Sequence, residues 1–348
     1  MGDRMATGRL FAAITLTAML TMGAAAVAAA PIRVLPVSPD SPSATIGNGL
    51  IKAKIYLIDP GKGFYRGQRF DQAGVVGSLT FGGQEFYGPW FDRVSSEDLE
   101  DPYTPQGLVV GFHSAISGPV EEFAPIGFDE AMPGGTFLKV GVGMLRKPDH
   151  KDYDHGRSYD LIDAGQRGVT VTDSGVTFTQ DIAGGFHYLK RLQLVPGKPQ
   201  MRIEHELTNT GIMPINTNVY DHNFLKLSPG NGDVMVTLPY AITPDIMPNA
   251  GTARIRGNHI AYVRPLVGEE RVAFLISGFG DNARDYDIKV ENTKTGAGMR
   301  VTGDQKLVKM YLWSIRTVMA VEPHIGIELA PGETKRWTYT YTYSAPTR

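Results

Sequence analysis

No cysteine occurs anywhere in the 348 residues. Disulfides, thiolate metal sites, a cysteine nucleophile and a lipid-bearing N-terminal cysteine are thereby excluded. An excess of charge of either sign is also lacking. The 34 lysines and arginines meet 36 aspartates and glutamates, for a formal net charge of −2. With no basic run, the electrostatic footprint of a nucleic-acid binder is missing. Helical periodicity is almost absent, and long apolar runs are confined to the first thirty residues. The partner expected from this balance is small or neutral, as a carbohydrate is.

Those first thirty residues read as a leader. Arg4 and Arg9 give a positive start, Leu10 to Met22 is apolar apart from threonines, and Ala26-Val27-Ala28 is an A-x-A cleavage site. Residues 1–28 are expected to be a signal peptide, with no membrane anchor left after cleavage near Ala29. The rival is a single transmembrane anchor, but the apolar core is short for a span and no stop-transfer charge cluster follows it. The expected location is periplasmic or secreted, in a bacterium, with a large core in place of disulfide staples.

Residues 29–348 read as one all-β domain. Strand-like runs recur every ten or so residues between Gly, Asn, Asp and Pro, among them Ile51 to Ile58, Val176 to Gln180, Val272 to Ile276 and Leu307 to Ile315. Met201 to Leu207 alternates apolar and polar, as a strand with one wet face does. Thr338 to Tyr343 alternates threonine with tyrosine and reads as the last strand of a sheet. The one helical signal lies in residues 92–99, with Ser95 or Ser96 as N-cap. Many short strands with turn signals imply a large antiparallel sandwich or barrel.

Two segments carry chemistry. The eight histidines include His222, set between Asp221 and Asn223 where the period-two pattern breaks into a polar run. Asp221 or a nearby carbonyl is placed to orient that imidazole and raise its pKa toward neutrality. Glu322 follows the apolar run Thr317 to Val321 and precedes Pro323; it is either a solvated strand-end group or the buried base of a site. Arg69 lies in a Gly-containing loop and is either a site residue or the partner of Asp71. Glu122 is a further candidate. Lys139 interrupts an apolar strand, as a site residue or a snorkelling edge lysine. Phe186-His187-Tyr188-Leu189-Lys190 alternates aromatics with donors, as a sugar-stacking wall or a strand of mixed faces does. Asp149 to His155 fits no strong metal spacing and reads as a solvated loop, so neither metal nor cofactor is expected.

Thr217, Asn218, His222, Phe224 and Leu227 fit the frame T-N-x-x-x-H-x-Y/F-x-x-L. Asn209-Thr210-Gly211 precedes them, and Val321-Glu322-Pro323, Leu329-Ala330-Pro331-Gly332-Glu333 and the Thr338 to Tyr343 strand follow. In order and spacing, residues 200–343 resemble the aldose 1-epimerase (galactose mutarotase-like) superfamily. The resemblance implies a large antiparallel β-supersandwich with few short helices, acting on a mono- or oligosaccharide without cofactor. It implies that Glu322 is the general base at the anomeric hydroxyl and His222 the general acid at the ring oxygen, so that ring opening and closure interconvert anomers. Arg69 falls where the family places an arginine on sugar hydroxyls. The family's second histidine, followed by glycine, has no counterpart, since His113 precedes serine. A concave face lined by Arg69, Lys139, His187, Tyr188, His222 and Glu322, with Glu122 and Lys190 near it, is the expected site. Two other functions share this expectation. A lyase or glycosidase on the same fold would draw on Glu122 or Asp221 as a second carboxylate, or on Tyr188 with Lys190 and Arg69. A non-catalytic sugar binder would use the same face.

Overall fold

Alternation of tyrosine with threonine builds the strand on which the larger sheet is centred. In Thr334–Ser344, Trp337, Tyr339, Tyr341 and Tyr343 are buried while the threonines between them face the other way. This strand pairs with Gln200–Asn209 on one side and Gly298–Gly303 on the other. It is the last strand in the chain, yet it lies in the middle of ten antiparallel strands. The computed structural model describes residues 34–36, 40–91, 93–95, 108–110 and 116–347. The expected leader and His113 lie outside the described residues. Arg93–Ser95 forms a strand, paired with Val34–Pro36 and Leu108–Val110, where the sequence predicts a short helix over 92–99; the rest of that segment lies outside the described residues.

A six-stranded sheet faces the larger one. Its order is Thr243–Pro244, Val272–Ser277, Lys309–Ile315, Val318–Leu329, Ile215–His222 and Val120–Phe123. Apolar side chains of both sheets share one core, with Tyr188, Ile203 and Tyr339 from one side and Val219, Leu312 and Ile325 from the other. The architecture is the all-β sandwich that the sequence predicts.

Val318–Leu329 is the pivotal strand. Its first eight residues are buried on both faces, which is why no period-two pattern marks it in the sequence. Pro323 does not end it. Val321 and Pro323 turn their backbone groups to the same side, toward Ile215–His222. Pairing on that side stops at His324, and the Val321 carbonyl instead accepts from the Asn223 side chain at 2.7 Å. The missing prolyl N–H therefore interrupts no ladder, and Glu322 lies well inside a strand of 12 residues, not at its end.

A buried ionic cluster fills part of the space between the sheets. Lys190 Nζ donates to the Ala73 carbonyl at 2.7 Å, to Glu121, and to Asp71 at 3.5 Å. His205 Nε2 lies 2.7 Å from Glu121, and Tyr188 donates to Asp71 at 3.2 Å. Burial alone would raise Glu121, but Lys190 and His205 hold it down at about 2. Gly141 has φ 79°, and a Cβ there would stand 2.4 Å from Asp71 Oδ1, so the turn beside this carboxylate needs glycine.

Candidate active site

Side chains two apart on a strand share a face, and pairing in register sets such faces side by side. On the outer face of the six-stranded sheet this places two rows next to each other. One row runs Leu275, Tyr311, Glu322. The other runs Lys309, His324, Tyr220, Glu122 across four strands. His222, two residues after Tyr220, continues the first row beside Glu322. Together with Arg69, Asn218, Tyr153 and His155, these rows, His222 excepted, line a cleft of about 420 Å³.

The centre of the site is a direct contact. His222 Nε2 lies 3.2 Å from Glu322 Oε1, and both side chains are almost wholly buried. Glu322 lines the cleft; His222 sits beneath it, its ring stacked on Phe224 at 3.7 Å and edge-on to Phe70 and Trp313. Phe224 holds φ 40°, an uncommon conformation for a bulky residue, which keeps its ring under the imidazole. Burial pushes Glu322 up to about 8, with Arg69 and Lys309 opposing and Glu122 assisting. Burial, reinforced by Arg69, carries His222 well below its usual 6.5. At neutral pH the pair thus holds one shared proton, as a carboxylic acid against a neutral imidazole.

Arg69 forms one end of the cleft. Its Nε donates to Glu122 at 2.7 Å and its Nη2 to the Tyr220 hydroxyl at 3.1 Å, while Tyr220 itself donates to Glu122. Burial would raise Glu122, but Arg69, Lys139 and His155 overcome it and hold the carboxyl at about 2. His324 stacks on Tyr220 at 4.3 Å, and its Nδ1 is 3.3 Å from Asn218 Oδ1. Burial and Lys309 lower His324 to about 3. Tyr153 closes the side of the cleft from the loop after residue 148, held by Lys139 Nζ at 2.7 Å.

The predicted site residues therefore divide. Arg69, Glu122 and Glu322 line the cleft, with His222 directly behind Glu322. Arg69 does not pair with Asp71, whose partner is Lys190. Lys139 is fully buried behind the wall, with Glu122 at 3.9 Å, and burial lowers it to about 8. Tyr188 and Lys190 belong to the inter-sheet cluster, because their strand turns residues 186, 188, 190 and 192 inward. His187 takes the opposite face, one-third exposed, and pairs with Asp181 at 2.6 Å. No sugar-stacking wall forms there. Asp221 also faces inward, accepting from Tyr341, so it neither orients His222 nor joins the cleft, and His222 is lowered where the sequence predicts it raised. Asp149 and Arg157 form a two-pronged pair at 2.8 and 2.9 Å in the loop that brings Tyr153 and His155 to the cleft. Among the described residues no cluster of three metal-ligating side chains occurs. The sequence does not single out His324, Tyr220, Tyr311 or Lys309 and marks Asn218 only within the motif frame, although counting in twos from His222 and Glu322 reaches His324, Tyr220 and Asn218. A second concavity, of about 570 Å³ around Thr45 to Lys52, has Lys52 as its one ionisable lining residue and offers no acid–base pair.

Two facing antiparallel sheets, the smaller carrying a cleft over a carboxyl–imidazole pair, define a protein of the galactose mutarotase-like fold. Among solved structures, the chain is similar to a galactose mutarotase related enzyme from Lactobacillus acidophilus, at 14% identity over 88% of this chain and 98% of that one, with TM-score 0.50. It is similar also to the GalM/aldose epimerase homologue from C. elegans, at 13% identity over 88% and 100%, with TM-score 0.50. No family model matches the sequence, and no curated protein matches it.

Proposed function

We propose that the protein interconverts the anomers of a free sugar by general acid–base catalysis. The observation that carries this reading is the Glu322–His222 pair, 3.2 Å apart and sharing one proton under a cleft lined by Arg69, Glu122, Tyr220 and His324. Ring opening requires a proton taken from the anomeric hydroxyl and another given to the ring oxygen. A pair holding a single labile proton does both and ends each turnover as it began. Passing that proton along the hydrogen bond converts acid and imidazole into carboxylate and imidazolium. Glu322 is then the base facing the sugar, and His222, behind it, holds the proton that goes back to the ring oxygen through the Glu322 carboxyl. Arg69, Tyr220 and Glu122 form a preorganised donor and acceptor set for hydroxyl groups. The same fold in mutarotase-related proteins agrees with this reading.

The test is anomer exchange followed by proton NMR on a panel of free aldoses. Glu322→Gln and His222→Asn should each slow exchange by about 10²–10⁴-fold, the range for loss of a general acid or base. Full activity in both variants would overturn the assignment.

One observation favours a second reading. Glu122 and Glu322 both line the cleft with opposite protonation states, the arrangement a glycosidase needs. Arg69 and Tyr220 already occupy Glu122, which favours the first reading. Release of reducing ends from oligosaccharides, without acceleration of anomer exchange, would reverse that preference.

A further inference from the structure

We infer that the sugar this cleft takes is an acid, a hexuronate whose carboxylate is held by Lys309. The inference rests on the reading of the cleft as a sugar site and narrows it. Lys309 lines the cleft at the opposite end of its cross-strand row from Glu122, directly across from His324. Every other ionised group of the cleft has a partner. Arg69 is matched by Glu122, and Lys139 lies behind the same carboxylate. Lys309 makes no ion pair among the described residues, although its ammonium is near enough to bias both Glu322 and His324. Lys309 is exposed, so the lining carries a positive charge met by solvent alone, and a neutral sugar brings it no counter-ion.

The spacing suits a ring. Lys309 stands one strand over and one alternate position along from Glu322, about 4.8 Å by about 7 Å between backbones. In a pyranose with its anomeric carbon at Glu322, the exocyclic carbon lies just across the ring oxygen, within reach of that end. His324 supports the same pose. Asn218 Oδ1 only accepts, so His324 carries its proton on Nδ1 and leaves Nε2 as an acceptor. A hydroxyl on the ring next to the carboxylate supplies the donor. One ammonium matches a monoanion; a phosphate dianion calls for a second cation or a cluster of donors, and the neighbours of Lys309 in its row supply neither.

The experiment compares D-galacturonate, D-galactose and galactose 6-phosphate with the full chain and with Lys309→Gln. Anomer exchange is read by NMR, and binding by calorimetry independently of turnover. Expected is a kcat/KM ratio of uronate to parent hexose of about tenfold or more, the worth of one charge-assisted hydrogen bond. In Lys309→Gln that ratio should collapse through KM, and in wild-type protein it should shrink with added salt. Equal ratios in the two proteins, or a hexose preferred by wild type, would overturn the inference and leave the epimerase reading standing. Uronate binding that is lost in Lys309→Gln, without exchange on any sugar, would support the inference and sink the epimerase reading. Tighter binding of the 6-phosphate than of the uronate would also overturn it, as would no binding of any of the three.

Discussion

Glu322 combines two effects that pull apart. Its carboxyl, raised to about 8 by burial, supplies the proton the pair needs, and the same burial costs stability wherever the group ionises. The proposed chemistry should therefore be level through neutrality and fall above about pH 8, where the pair gives up its only proton. A pH–rate profile checks this; a rate that rises through pH 9 would contradict it. At this scale the sequence was informative where a residue's own surroundings mark it. His222 stood out in its polar run, Glu322 beside its proline, and Arg69 next to a glycine. It was uninformative about facing. Tyr188 and Lys190 on one side of a strand, and His187 on the other, read alike until the sheet assigns inside and outside. Asp221 differs from its expected place for the same reason: one step along a strand turns a side chain through to the other face.

At the scale of strands, the local pattern foretold existence better than place. Thr334–Ser344 was legible from its alternation, but nothing in six alternating letters says that it lies fifth of ten. That order is set by pairing with Gln200–Asn209, more than a hundred residues earlier, and with the nearer Gly298–Gly303, and by the packing of Trp337 and its tyrosines. From the sequence, Val318–Leu329 ends at Glu322, because proline normally stops a strand; in the structure the pairing with Ile215–His222 stops at His324 and the strand continues. The inter-sheet cluster gives this scale its own prediction. Lys190→Met leaves Asp71 and Glu121 as buried carboxylates without their cation, which should destabilise the fold by about 3–5 kcal/mol. Urea unfolding would register the loss as a lower midpoint, while anomer exchange per folded molecule should persist, since Lys190 faces away from the cleft. A midpoint unmoved by the substitution would mean that the cluster contributes little.

For the whole molecule, three carboxyls make contributions to stability whose pH dependence has a definite sign. Glu121 and Glu122 are held at about 2 in the folded state against 4.5 unfolded, so their contribution is complete above about pH 4.5 and is lost as the pH falls toward 2. Glu322 is shifted the other way; its folded form binds the extra proton, so stability declines from about pH 4.5 up to 8. In thermal unfolding, wild type should lose stability relative to Glu322→Gln steadily between about pH 4.5 and 8. A difference between the two proteins that stays flat from pH 4.5 to 8 would contradict the Glu322 assignment. The sandwich itself persists at 14% identity to its structural relatives, which agrees with a fold specified by the period of its residues more than by their names. The two rows on the outer face bear on how such a protein changes over generations. Residues 309, 311, 322, 324, 220 and 122 alternate with the core letters of their strands, so each can be exchanged without disturbing the side chains that hold the sheets together. A lineage built this way can try new substrates one letter at a time, on every second position of four strands, while its foldability is inherited intact.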